Sequence, residues 1–174
     1  MKKIISRRYS LKIIASSLAI FPYSLEASEK NNLHSYNWEG IALGNPVYMQ
    51  IIAKNTNHMK KLIHLISSEI QRFNNIFYLQ NGNSQINLLN KNKILKNPDI
   101  ELIKAIKLAE TFFKISNKNY DITVQPLWNS IFSKKNINYS GIGFNNILLT
   151  KNKIALLNKN TEITLNSISQ GILT

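Results

Sequence analysis

The chain is 174 residues long, 44% hydrophobic and 18% charged, with a formal net charge of +13. That length and balance suit one domain with a core of its own and exclude a disordered chain. The absence of cysteine excludes disulfides, thiol nucleophiles, thiolate metal sites and a lipid-modified cysteine anchor.

The basic balance does not point to nucleic acid. Lys2, Lys3, Arg7, Arg8, Lys12 and a single acid, Glu26, fall in an N-terminal leader, and without it the charge is +9. The remaining lysines are scattered beside asparagines, as in Lys91-Asn92-Lys93 and Lys151-Asn152-Lys153, which suits solvated turns. Beyond the leader the only arginine is Arg72, whereas a nucleic-acid face clusters arginine with exposed aromatics. His34, His58 and His64 have no metal-ligand spacing and suit surface or packing positions.

Residues 1–27 read as an export signal: a positive start, a short apolar run over 11–21, Pro22, and Ala27 at a cleavage point. The apolar run is too short to span a bilayer of about 30 Å. Ser6-Arg7-Arg8-Tyr9-Ser10-Leu11-Lys12 resembles the twin-arginine motif, with Ser10 in place of the usual phenylalanine. The expectation is a periplasmic protein, or one associated with the inner membrane if the leader is retained. Residues 28–36 are polar and read as a flexible mature N-terminus, leaving 37–174 as the domain.

From Trp38 the pattern alternates, with Ile41, Leu43, Val47, Met49 and Ile51 on one face and Gly44 and Pro46 at a bend. Asn57 is expected to cap a helix to about Phe77, with Leu62, Ile63, Leu65, Ile66, Ile70, Phe73, Ile76 and Phe77 at helical spacing. Ser84 caps a short helix carrying Ile86, Leu88 and Leu89, and Pro98-Asp99 opens a helix over 100–115. Residues 119–128, Asn-Tyr-Asp-Ile-Thr-Val-Gln-Pro-Leu-Trp, place an aromatic, an acid and a hydroxyl together before a proline turn, which suits a site for a flat polar ligand. Asp-x-Thr here is equally a strand end or a helix cap. Residues 129–140 read as irregular, 147–149 and 154–156 as a hairpin, and 162–165 as a strand. Residues 166–171 start a helix packed closely through Gly171.

Several motifs occur in one order: Trp38-Glu39-Gly40-Ile41-Ala42-Leu43-Gly44, Phe77-Tyr78-Leu79-Gln80, Ser84-x-Ile86-x-x-Leu89-Asn90, the run from Tyr120 to Trp128, and Leu165-Asn166-Ser167-Ile168-Ser169-Gln170-Gly171. The series resembles the ApbE family of FAD:protein FMN transferases, in particular its exported twin-arginine branch. The resemblance implies an α+β, T-fold-like flavin transferase domain. It implies magnesium as cofactor and FAD as substrate. The FMN half of FAD would be joined to a threonine hydroxyl of a target flavoprotein, such as a membrane electron-transfer subunit, and AMP would leave. Leu43 stands where the family has a methionine against the flavin, and Gln80 stands at a family aromatic. Asn119, Tyr120 and Asp121 match a segment lining FAD, Thr164 takes the place of an aspartate, and Gln170 matches a flavin contact. Ser167 matches an oxygen donor to magnesium. No residue is assigned the catalytic step.

The resemblance covers about the N-terminal half of a family member. The aspartate, the threonine and a histidine motif that complete the family's metal site fall beyond residue 174. The chain alone is therefore expected to be inactive or nearly so. The alternatives are a catalytically dead remnant and a periplasmic flavin-binding module without transfer activity.

Overall fold

The computed structural model describes residues 33–134 and 139–173. The expected leader, 1–27, lies outside the described residues, as does most of the segment expected to be flexible.

The first element is a β-hairpin. Strand β1 (His34–Ala42) pairs antiparallel with β2 (Asn45–Ala53), His34 opposite Ala53 and Ala42 opposite Asn45. His34, Ser35 and Tyr36, expected to be loose, are therefore strand. The turn is only Leu43 and Gly44, with φ of 51° and 81°, the left-handed pair that matches the twist of a two-residue hairpin. Such a turn fixes the parity of every side chain. Trp38, Gly40 and Ala42 share the inner face with Val47, Met49 and Ile51, while Ile41, expected on that face, points outward at 69% exposure. Pro46 sits within β2 opposite Ile41 and not at the bend, and an unpaired strand edge tolerates its missing N–H.

Helix α1 (Thr56–Phe77) starts two residues earlier than expected, because Asn55 accepts the N–H of His58 at 2.9 Å. Its first half packs beneath the hairpin through Leu62, Ile63, Ile66 and Ile70, all half-buried, whereas Leu65, expected in the same stripe, is exposed. Its second half sends Phe73, Ile76 and Phe77 into the main core. There they meet helix α2 (Gln85–Asn92) through Ile86 and Leu89, and helix α3 (Ile100–Ile115) through Leu102, Ala105, Ile106 and Ala109. Both short starts are capped as expected: Ser84 Oγ accepts from Asn87 N and Asp99 Oδ1 from Glu101 N. Arg72 ties α1 to the start of α3, donating to Glu69 at 2.6 Å and to Asp99 at 3.2 Å.

Between these helices runs β3 (Ile94–Lys96). It joins β4 (Ile147–Leu149) and β5 (Lys153–Leu156) in an antiparallel sheet of order β3–β5–β4, whose central strand is buried. Two expectations are corrected here. Residues 129–133 are not irregular but belong to helix α4 (Gln125–Ser133), because a proline in the first turn costs no hydrogen bond and presets φ. Residues 162–165 form no strand beyond a single bridge between Val124 and Glu162. On that side Thr164 N also donates to Ile122 O at 2.8 Å, while Ile163 pairs with a side chain: Asn90 Nδ2 donates to Ile163 O at 2.9 Å, and Ile163 N donates to Asn90 Oδ1 at 2.8 Å. The amide of α2 thus takes the place of a neighbouring strand. Helix α5 (Asn166–Leu173) closes the described part and buries Ile168 and Ser169. Among the described residues no helix is long and apolar enough to cross a membrane.

Candidate functional site

The loop from α3 to α4 builds the site. Asn117 and Lys118 take left-handed φ values of 53° and 68°, which stop α3 and turn the chain back across its end. The turn is held by Tyr120 N donating to Ser116 Oγ at 2.9 Å and by Asn119 Nδ2 donating to Ser116 O at 2.8 Å. Asp121 then orders the turn that follows. Its Oδ1 accepts both the backbone N–H and the hydroxyl of Thr123, at 2.8 and 2.7 Å. Thr123 is fully buried, and its Oγ1 accepts the N–H of Gly143 at 2.7 Å. The Asp-x-Thr pair is therefore a local turn ahead of α4, neither a strand end nor a helix cap, and among the described residues Asp121 Oδ2 has no hydrogen-bond partner.

This loop borders a half-open cleft of about 790 Å³, within the size range of ligand pockets. Gln80, Asn119, Tyr120, Asp121, Thr164 and Ser167 all line it, brought together from the end of α1, the α3–α4 loop and the start of α5. The Tyr120 hydroxyl meets Ser167 Oγ at 2.8 Å, an exposed contact that joins the loop to α5. The Tyr120 ring is held edge-on by Phe112, with centroids 5.7 Å apart. Thr164 is fixed by its backbone, donating to Ile122 O at 2.8 Å.

Leu43 and Gln170 do not reach that cleft. They line a smaller one of about 180 Å³ with Tyr78 and Ser169, and Gln80 and Asn166 border both. Leu43 is pinned there, its N–H donated to Asn74 Oδ1 at 2.7 Å. Gly44 lets the turn approach the Tyr78 ring, which a Cβ would meet at 2.8 Å. Gly171, expected to permit close packing, does not: a Cβ there would meet nothing within 4 Å.

Four other motif residues serve the fold and not the cleft. Ile86 and Leu89 are fully buried, and the polar members of their motif, Ser84 and Asn90, are spent on a cap and on Ile163. Conversely, the cleft contains Trp128, Phe132, Gln125 and Asn129; Gln125 and Trp128 lie in the 119–128 run read as a site, but none of the four has an individual role in the sequence reading. The signal was present, since Trp128 and Phe132 are four apart, one turn of a helix, once Pro126 is read as a helix start.

The donor set does not fit magnesium. Among the described residues no three acidic or histidine side chains converge, Asp121 is the only carboxylate lining the cleft, and Ser167 Oγ is engaged by Tyr120. Magnesium calls for near-octahedral oxygen ligands that include one or two carboxylates, and a lone hydroxyl leaves the ion hydrated. No lysine or arginine lines the cleft either, among the described residues. The arrangement can hold a flat apolar body and hydrogen-bond its polar edge.

The pattern of the ApbE family matches residues 43–174. Among solved structures, the fold is similar to an ApbE protein from Thermotoga maritima, with TM-score 0.66 and 19% identity over 80% of this chain and 50% of that one. It is similar to the flavin transferase ApbE from Vibrio cholerae, with TM-score 0.69 and 14% identity over 81% and 51%. A third likeness is to the flavinyl transferase ApbE of Pseudomonas stutzeri, with TM-score 0.70 and 10% identity over 84% and 54%. The chain spans about half the length of these structures. No curated protein matches it by sequence.

Proposed function

As the chain belongs to the ApbE family, we propose that it carries the flavin-binding part of an FAD:protein FMN transferase. In that reaction a threonine hydroxyl of a target flavoprotein attacks the FMN-side phosphorus of FAD. The bond from that phosphorus to the bridging oxygen breaks, AMP leaves with the oxygen, and the hydroxyl proton passes to a base. Displacement at phosphorus depends on positioning and on neutralising charge.

One observation supports the assignment above the others. The large cleft gathers Gln80, Asn119, Tyr120, Asp121, Thr164 and Ser167, six residues that the family resemblance connects with the flavin or the ion, from three distant parts of the chain. A planar ring against Leu79, Ile122 and Tyr120, with its polar edge toward Asn119 and Asp121, suits that lining.

A second function, flavin binding without transfer, is favoured by the same lining. It offers neither a cation nor a magnesium donor set among the described residues, so nothing described neutralises a departing phosphate. On its own the chain binds FAD and transfers FMN slowly or not at all. The proposal places the protein in the periplasm by the twin-arginine route, or at the inner membrane where the leader is retained, with a membrane electron-transfer subunit as acceptor. It draws on Arg7-Arg8 and the apolar run that follows.

The test combines the purified chain with FAD, magnesium and a threonine-bearing acceptor domain, read by in-gel flavin fluorescence, with FAD retention measured by dialysis. We expect retained FAD, no labelled acceptor from the chain alone, and labelling once the C-terminal half of a family member is supplied. A chain that neither retains FAD nor supports labelling in any mixture overturns the proposal. Labelling by the chain alone overturns its inactivity.

A further inference from the structure

Helix α4 buries none of its side chains, although Leu127, Trp128, Ile131 and Phe132 are among its nine residues. Trp128 is 51% exposed and Phe132 81%. Their rings are one helical turn apart, with centroids at 6.3 Å and planes inclined by only 29°. Both border the large cleft. Nine residues are too few to hold a helix by propensity alone, so packing must come from elsewhere. Part of it is polar: Gln125 Nε2 donates to Asn129 Oδ1 at 2.8 Å, and Asn129 Nδ2 donates to Glu162 Oε2 at 2.6 Å, fixing α4 against the segment before α5. The rings themselves remain wet, which forfeits the burial that aromatic side chains normally contribute.

Tyr120 differs from them. Its ring is packed by Phe112 and its hydroxyl is taken by Ser167, so it can flank a ligand but is not free to rotate onto one. The two near-parallel rings of α4, held on a tethered helix at the rim, are the surface on which a flat body can lie. The described lining offers no lysine or arginine to a phosphate.

We infer that Trp128 and Phe132 form a stacking platform for the tricyclic ring of the flavin, and that this chain recognises its ligand by that ring and not by the phosphates. The inference rests on the flavin assignment proposed above, and it adds two ligand-positioning residues and a specificity. Riboflavin, which has no phosphate, should bind nearly as well as FAD, and AMP should not bind.

The test uses the full chain. It has two tryptophans, so Trp38→Phe leaves Trp128 as the sole indole reporter. In that background FAD, FMN, riboflavin and AMP are titrated while tryptophan emission is followed, and affinities are measured independently by equilibrium dialysis. The expected result is quenching of Trp128 by the three flavins but not by AMP, with riboflavin and FAD affinities within about ten-fold. Trp128→Ala should weaken riboflavin binding about ten-fold or more, and Phe132→Ala by less, in line with aromatic stacking. Trp128→Phe should stay within about three-fold of the parent. Because both side chains are exposed, circular dichroism should be unchanged in each variant. Flavin binding with unquenched Trp128 and an unaffected Trp128→Ala variant overturns the platform while leaving the flavin assignment standing. FAD bound at least a hundred-fold tighter than riboflavin overturns recognition by the ring. No flavin bound by the parent chain overturns both the platform and the flavin assignment.

Discussion

Replacing Asn90 by alanine should destabilise the chain more than its polarity suggests. Asn90 is 8% exposed on α2, and Ile163, whose backbone it pairs with, is fully buried. The two bonds, at 2.9 and 2.8 Å, satisfy both the carbonyl and the N–H of Ile163 across 73 residues of sequence. Alanine would leave a donor and an acceptor buried without partners, at a cost of about 1–3 kcal/mol each, reduced where water enters the space vacated. The sum is about 2–4 kcal/mol, a large share of the total stability of a small domain. With a urea m-value of about 2 kcal/mol/M, the midpoint should fall by about 1–2 M at unchanged slope. Asn90→Leu should lose a similar amount, since its apolar side chain fills the space without supplying either bond. Urea unfolding followed by far-ultraviolet circular dichroism reads all three proteins. A midpoint shift under about 0.3 M for both variants would mean that Ile163 finds other partners, and the account of Ile163 as a residue paired to a side chain would be wrong.

Glycines 141 and 171 should respond in opposite directions to alanine. A Cβ on Gly141 would meet the Asn160 carbonyl oxygen at 2.2 Å and Thr161 N at 2.7 Å, both backbone, so Gly141→Ala should cost about 3 kcal/mol in thermal or urea unfolding. Gly171 lies in α5 with open space around it, and Gly171→Ala should gain about 0.5–1 kcal/mol. Glu69 is held below its usual carboxylate value of 4.5 by its hydrogen bond to Arg72. A depressed carboxylate adds stability above its unfolded pKa and loses it as pH falls through the folded one. The melting temperature of the parent should therefore drop more than that of Glu69→Gln below about pH 4.5, and the difference should shrink in high salt. Equal acid limbs would show that the ion pair contributes nothing. Tyr120→Phe removes the contact to Ser167, an exposed pair, so unfolding should shift by less than about 1 kcal/mol. Flavin affinity, by dialysis, should fall about two- to ten-fold, and an unchanged affinity would remove Tyr120 from the site.

Much of the fold was legible because its signals are local. The stripe of α1, the caps Ser84 and Asp99 and the β4–β5 hairpin depend on residues within one or two turns of each other. The misreadings have two sources. Where the governing partner is remote, periodicity gives no warning: residues 162–165 look like a strand, but Ile163 pairs with a side chain 73 residues earlier and only a single bridge joins the segment to Val124. Where one residue sets parity, an error propagates, and placing Pro46 in the bend put Ile41 on the wrong face. Of the eight site residues, six share the large cleft while Leu43 and Gln170 border the smaller one. The motifs held the ordered positions but not how they divide between two spaces. The α4 rings have no individual role in the sequence reading because Pro126 reads there as a turn and not as the first turn of a helix.

The hairpin has a consequence for how the molecule opens. The main cluster of buried side chains begins at Phe73, and neither strand of the hairpin contributes to it. The hairpin and the front half of α1 form a layer of half-buried residues with only Ala42, Ile51 and Ala53 fully covered. Such a layer opens at a free energy well below that of global unfolding. Amide exchange should therefore fall into two classes, with 34–70 exchanging rapidly and together while α3 and β5 exchange only through complete unfolding. Because Leu43 hangs on Asn74 at the boundary between the layers, each opening of the outer layer also dismantles the smaller cleft, while the larger one stays assembled on the slow-exchanging base.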